Sequence, residues 1–354
     1  GIFGLASIAG PLIGGYLVDQ LSWHWIFYVN LPLGLLALAI FAVAFQPTGR
    51  RIKHAIDYTG ALFLAISLAC LVLYTSFGGR TYGLADPGML ALIGVSIASA
   101  VIFVFVEFRA EEPVLPMMLF STNTFTVMVG IVMVIGAAMF GAMTFLPLYL
   151  QTVKGLSPTE SGLNLLPMMF GILGGAIGSG RIMSNTGHYK WLPTIGAVIM
   201  AFGLYRLSSI SPDRSSLVLS IDIFILGIGM GPIMSVGTTA IQNAVPREIM
   251  GAATASYTMF RQIGGSVGVA LFGTLFTSGL QSRLPEDHVP VESLSFQTIS
   301  DLPEEFQQIV MNGITDSLQP IFLVAAVMSV GAVLISLLLE EVPLATRKEA
   351  GMDG

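Results

Sequence analysis

The chain has 354 residues, of which 10% are charged and 54% apolar, and its mean hydropathy is +0.82. Soluble domains carry about 25% charged residues, so this chain cannot clothe itself in charge and its solvent is largely hydrocarbon. The net charge of −6 excludes a basic nucleic-acid footprint, and the single Cys70 excludes a disulfide frame or a thiolate metal cluster.

A crossing takes about 20 apolar residues, so the length accommodates about ten. Apolar segments fall at Gly1–Val18, Trp25–Phe45, Tyr58–Phe77, Met89–Val106, Phe125–Leu150, Leu163–Gly180, Trp191–Ile210, Leu217–Ala240, Ala252–Leu280 and Pro320–Leu339. They are too long and too evenly apolar for barrel strands, which alternate over ~10 residues. In lipid a helix satisfies its own backbone. The expected fold class is therefore an all-α polytopic membrane protein of ten transmembrane helices. The chain opens Gly-Ile-Phe-Gly, as if already inside a helix.

Lys and Arg in the loops set orientation. Loops after the even-numbered helices, with the tail, carry Arg50, Arg51, Lys53, Arg109, Arg181, Lys190, Arg247, Arg347 and Lys348; the other side carries Arg80, Lys154, Arg206, Arg214 and Arg283. The excess puts the C-terminus in the cytoplasm. The loop Gln281–Gln319 then faces outward as an acidic, solvated cap, in which Asp301–Asn312 reads as a short amphipathic surface helix.

Catalytic signatures are missing. His24, His54, His188 and His288 share no metal spacing, and no Gly-rich loop ends in Lys-Ser/Thr. No catalytic residue, metal site or cofactor is expected. Glycine is abundant, at 40 residues, and often spaced by four: Gly10/Gly14, Gly171/Gly175, Gly174/Gly178, Gly227/Gly231 and Gly264/Gly268. Such faces let helices approach closely, either as static packing or as sliding surfaces. Pro11, Pro32, Pro147, Pro167 and Pro232 bend or interrupt helices. Ionisable groups are costly in a membrane, which singles out Asp222 and Arg261. Asp222 is either a proton carrier or an interfacial acid, and Arg261 either faces inward or snorkels. Tyr149, Gln151, Asn164, Met168, Tyr257 and Gln262 are candidates for lining a substrate cavity.

Gly10-Pro11-Leu12-Ile13-Gly14-Gly15 resembles the antiporter motif in the fifth helix of major facilitator drug–proton antiporters. Trp23-His24-Trp25-Ile26-Phe27-Tyr28-Val29-Asn30-Leu31-Pro32-Leu33-Gly34 is similar to the next helix junction of the 14-helix EmrB/QacA-type branch. Asp57-Tyr58-Thr59-Gly60, Leu146-Pro147-Leu148-Tyr149-Leu150-Gln151 and Arg261-Gln262-Ile263-Gly264-Gly265-Ser266-Val267-Gly268 follow in that branch's order. Gly180–Lys190 fits the frame of the family's cytoplasmic loop motif, with Ser184 and Asn185 in place of its acid and base.

The resemblance implies a major-facilitator-type bundle in which the ten segments are helices five to fourteen, the first four being absent. Residues 1–45 would end the N-terminal half, 46–124 hold two inserted helices, 125–340 form the C-terminal six-helix half and 341–354 the tail. In the family, Gly10, Pro11, Gly14 and Gly15 seal the cavity against the opposite half. The implied function is proton-coupled efflux of amphipathic or apolar drugs across a bacterial cytoplasmic membrane. The partners are the small substrate, the proton and the lipid bilayer, with a periplasmic adaptor protein as a further candidate. An exporter of one lipid, siderophore or metabolite on the same fold remains an alternative, as does a membrane scaffold that moves nothing.

Overall fold

The computed structural model describes residues 2–45, 57–78, 82–83, 85–110, 112–283 and 304–341, without the side chains of 2–8, 11, 12, 304 and 305. The expectations for the basic loop 46–56, for 284–303 and for the tail beyond Glu341 lie outside these residues. So does the side chain of Pro11.

All regular structure among them is helical. In chain order the α-helices are α1 (Ile2–Gln20), α2 (Trp25–Tyr28), α3 (Asn30–Ala44), α4 (Tyr58–Phe77), α5 (Pro87–Glu107), α6 (Asn123–Thr152), α7 (Pro158–Asn164), α8 (Leu166–Thr186), α9 (Trp191–Leu207), α10 (Ser216–Ala244), α11 (Met250–Gln281) and α12 (Glu304–Ser336). Eight helical stretches are long and apolar enough to cross a membrane, and Trp191–Leu207 is a shorter apolar helix of 17 residues. The seventh expected segment thus falls short of that length, and Arg206 occupies the last turn of α9.

Local chemistry explains the ends. Asp57 caps α4 by accepting from the Gly60 N–H at 2.8 Å, and Ser215 caps α10 through Val218. Ser157-Pro158-Thr159-Glu160 forms a capping box at α7. Pro167 cannot continue the α7 ladder, so that helix stops and α8 restarts at Leu166. Gly187 closes α8 at φ 74°, where a side chain would be strained. The Gly180–Lys190 frame is consequently helical as far as Thr186 rather than a loop.

Two expected boundaries move. Trp25–Phe45 is two helices, separated at Val29. The last helix begins at Glu304 rather than Pro320, so residues 304–319 are not loop. The residues 304–312 assigned to a surface helix are instead the first turns of α12. Val310, Ile314 and Leu318, spaced by four, are all buried and carry the helix into the core, and Pro320 sits inside it.

Six helices form the packed body. α8 lies on α10, α10 on α9, α9 on α12, α12 on α6 and α6 on α11, while α10 also touches α6 and α11. α6 is the most enclosed, with 72% of its apolar window buried, against none for Trp25–Ala44. α4 and α5 pair with each other and reach the body through α11, and α1 reaches it through α7 and α8.

Candidate functional site

Glycines make the tightest seams. On α10, a methyl added at Gly227 or Gly231 would run into the Met168 or Ile172 carbonyl of α8. On α8, one at Gly175 would meet the Ile228 carbonyl at 2.5 Å. α11 meets α6 in the same way: Gly264 lies over the Met133 carbonyl, and a methyl added at Gly136 would stand 2.5 Å from the Arg261 carbonyl. These approaches bring Cα–H groups onto facing carbonyls. Three of the four-spaced pairs, Gly171/Gly175, Gly227/Gly231 and Gly264/Gly268, lie in such seams. Gly10, Gly14, Gly174 and Gly178 face open space.

Among the described glycines of the Gly-Pro segment, Gly15 makes the close approach to the body. A methyl on Gly15 would lie 2.7 Å from Thr159 Cα and 2.9 Å from the Pro158 carbonyl, whereas Gly14 has room. One turn further along the same face, the Asp19 carboxylate accepts from the Thr159 N–H at 3.0 Å and from the Thr159 hydroxyl. Asp19 thus completes the N-terminus of α7, whose first N–H groups have no partner within the helix. Sequence reasoning missed Asp19; its signal was the four-residue step from Gly15.

Asp222 sits six residues into α10 with no exposed surface, and both its oxygens are taken. Arg206 Nε donates to Oδ1 at 2.6 Å, and an Arg214 guanidinium nitrogen donates to Oδ2. Asp222 thus forms an ion pair that ties the end of α9 and the α9–α10 loop to α10. Arg261 is not its partner. Beside the pair, Lys154 donates to the Pro212 and Arg214 carbonyls, and the Tyr149 hydroxyl donates to the Ser211 carbonyl at 2.7 Å. Burial pushes the Lys154 ammonium below its ordinary value, while the charge of Asp213 works against that shift.

The cavity candidates divide. Tyr149, Met168 and Tyr257 are buried: Met168 lies against Gly227, and the Tyr257 hydroxyl donates to the Ile233 carbonyl at 3.1 Å. Asn164 is half-buried and donates to the Glu160 carbonyl, and Gln151 is half-buried. Gln262 is exposed in an open groove along α10 and α11, which Gln242, Arg247, Thr254 and Thr258 share. Gln242 donates to the Thr254 hydroxyl across that groove at 3.2 Å. Arg261, next to Gln262, is half-buried, and its Nε is enclosed without a hydrogen-bond partner. A polar stripe on an otherwise apolar body can orient an amphipathic molecule; no arrangement for covalent chemistry accompanies it.

Comparison with known proteins agrees with this architecture. The family model described as Major Facilitator Superfamily matches residues 1–269. An uncharacterized MFS-type transporter of Mycobacterium tuberculosis is 37% identical over 97% of this chain and 51% of its own length. The multidrug transporter protein MdtP of Bacillus subtilis is 36% identical over 84% of this chain and 55% of its own. The chain therefore spans about half the length of these curated relatives. In fold it is similar to a crystal structure of a bacterial homolog of the human lysosomal transporter Spinster. That structure has a TM-score of 0.53 at 14% identity, over 95% of this chain and 81% of that one. An all-helical body with glycine seams, membrane-length apolar helices and a family match over most of its length places this chain in the Major Facilitator Superfamily.

Proposed function

We propose that this chain belongs to a proton-coupled efflux transporter of the EmrB/QacA-like 14-helix branch, one that exports amphipathic or apolar compounds. Its ten segments correspond to helices five to fourteen of that branch. Residues 125–340 act as the C-terminal half, and α4 and α5 are the inserted pair. The cytoplasmic membrane with an inward C-terminus is the proposed setting, supported by the loop charges. Relatives named as multidrug transporters support the cargo class.

One observation carries the reading: the segment with the Gly-Pro motif docks through Gly15 and Asp19 onto the start of α7. That seam is where two halves of an alternating-access transporter would meet and part. The groove around Gln242, Thr258 and Gln262 is the proposed substrate-facing stripe of this half.

The test is export by the full-length protein in proton-loaded vesicles. Gly15→Leu drives a side chain into the α7 backbone, so it should abolish drug export. Wild-type export by this variant would sink the seam as a working part. Failure of the wild type to protect cells from any inhibitory compound would favour the single-cargo exporter.

A further inference from the structure

The α4–α5 pair contains two carboxyl groups that the transport reading does not use. Asp57 sits at the start of α4 and Glu107 at the end of α5, so the antiparallel pair brings them to the same end. Asp57 Oδ1 accepts from the Gly60 N–H at 2.8 Å, and Glu107 Oε2 accepts from the Leu115 N–H at 3.1 Å. The other oxygen of each group, Asp57 Oδ2 and Glu107 Oε1, is enclosed and has no hydrogen-bond partner. Glu107 is only 3% exposed.

Both orphan oxygens lie beside Gly60. A methyl built on Gly60 would collide with Asp57 Oδ2 and stand 3.0 Å from Glu107 Oε1. Gly60 is therefore what leaves the gap between them open. Two ionised carboxylates in such a gap have only acceptors to offer each other, and an unpaired buried charge is strongly unfavourable. Among the described residues no cation resolves this; Arg50, Arg51, Lys53 and His54, just before Asp57 in sequence, lie outside them. Arg109 lines the adjoining depression with Asp57 and Thr59, and Arg261 is the charged residue of α11, which packs on α4. Among the described residues neither guanidinium reaches ion-pair distance of either carboxyl, and no group of three metal-ligating side chains forms there. The nearest further acids in sequence are Glu111, which lies outside the described residues, and Glu112. One proton between the two oxygens satisfies both, and two carboxyls that share a proton titrate as a unit.

We propose that Asp57 and Glu107 form a proton-binding site, with one proton held between Asp57 Oδ2 and Glu107 Oε1. The open depression of about 400 Å³ beside Asp57 connects the site to solvent. This site stands whether or not export is coupled to protons. It makes the junction of α4 and α5 respond to the pH on its own side of the membrane. The folded pair retains a proton that separated, unfolded carboxyls release, so its contribution to stability is lost as pH rises.

The experiment uses full-length protein in lipid nanodiscs and infrared difference spectra between neutral and alkaline pH. Wild type should lose one protonated-carboxyl band on alkalinisation, and its melting temperature should fall over the same interval. Glu107→Gln and Asp57→Asn each supply a permanent donor, so both should lose the band and flatten the fall. Gly60→Ala keeps both acids but fills the gap, so it should lose the band as well. An unchanged band in all three variants would overturn the proposal. So would restoration of the alkaline melting temperature by sodium at fixed pH, because the occupant would then be a metal cation.

Discussion

Asp222 and its two arginines differ in what each loses when the contact breaks. Asp222 is fully buried and Arg214 is 12% exposed, while Arg206 is 39% exposed and keeps much of its hydration. Removing one partner of a buried pair costs about 3–5 kcal/mol, whereas an exposed pair is worth about 0–1 kcal/mol. Asp222→Ala and Arg214→Ala should each lower stability by about the larger amount, and Arg206→Ala by about the smaller. Thermal unfolding in detergent checks the order. Glu341 behaves in the opposite electrostatic sense. Burial alone would raise its pKa, but the N–H groups of Tyr189 and Lys190 and the His188 ring together hold it below the usual glutamate value. A carboxyl depressed on folding stabilises above its unfolded pKa, and that contribution vanishes as pH falls through the folded value. Amide exchange at Tyr189 and Lys190 should therefore accelerate only in acid, and Glu341→Gln should remove the pH dependence. Residues of this kind were only half legible in sequence. Their type marked Asp222 and Arg261 as costly, but the partners of Asp222 lie 16 and 8 positions upstream, in the last turn of α9 and in a loop whose path composition does not encode.

At the scale of elements, the apolar runs specified the helices because nothing in hydrocarbon competes with the internal backbone ladder. Breaks followed local chemistry, and Pro167 could be read for that reason. The start of α12 could not be read from hydropathy. Its first turns are polar enough to resemble a solvated helix, and only tertiary burial of Val310, Ile314 and Leu318 shows that they continue the core. Glycine spacing named three pairs in two real seams and two open faces, because spacing marks a smooth surface without saying what lies opposite. The α8–α10 seam gives a direct test. Gly231→Leu places a side chain against the Ile172 carbonyl and the Ala176 N–H, both backbone and unable to swing away. A loss of about 1–3 kcal/mol or more is expected from such overpacking. Gly178→Leu, facing open space, should be near neutral. Thermal unfolding of the two variants side by side decides it.

In the whole molecule, enclosure is uneven. The six-helix body carries most of the buried residues, while α3 has none. The body is also fastened at its ends. At one end the Asn123 side chain donates to the Leu338 carbonyl and accepts from the Glu340 N–H, stitching the start of α6 to the end of α12. At the other, the Gln319 amide donates to the Ile210 carbonyl, tying α12 to the α9–α10 loop. A bundle whose first and last staves are hooped together resists splaying like a fan. A tilt of that whole body away from α1 would have to break the Asp19–Thr159 contact, which makes this contact its fulcrum.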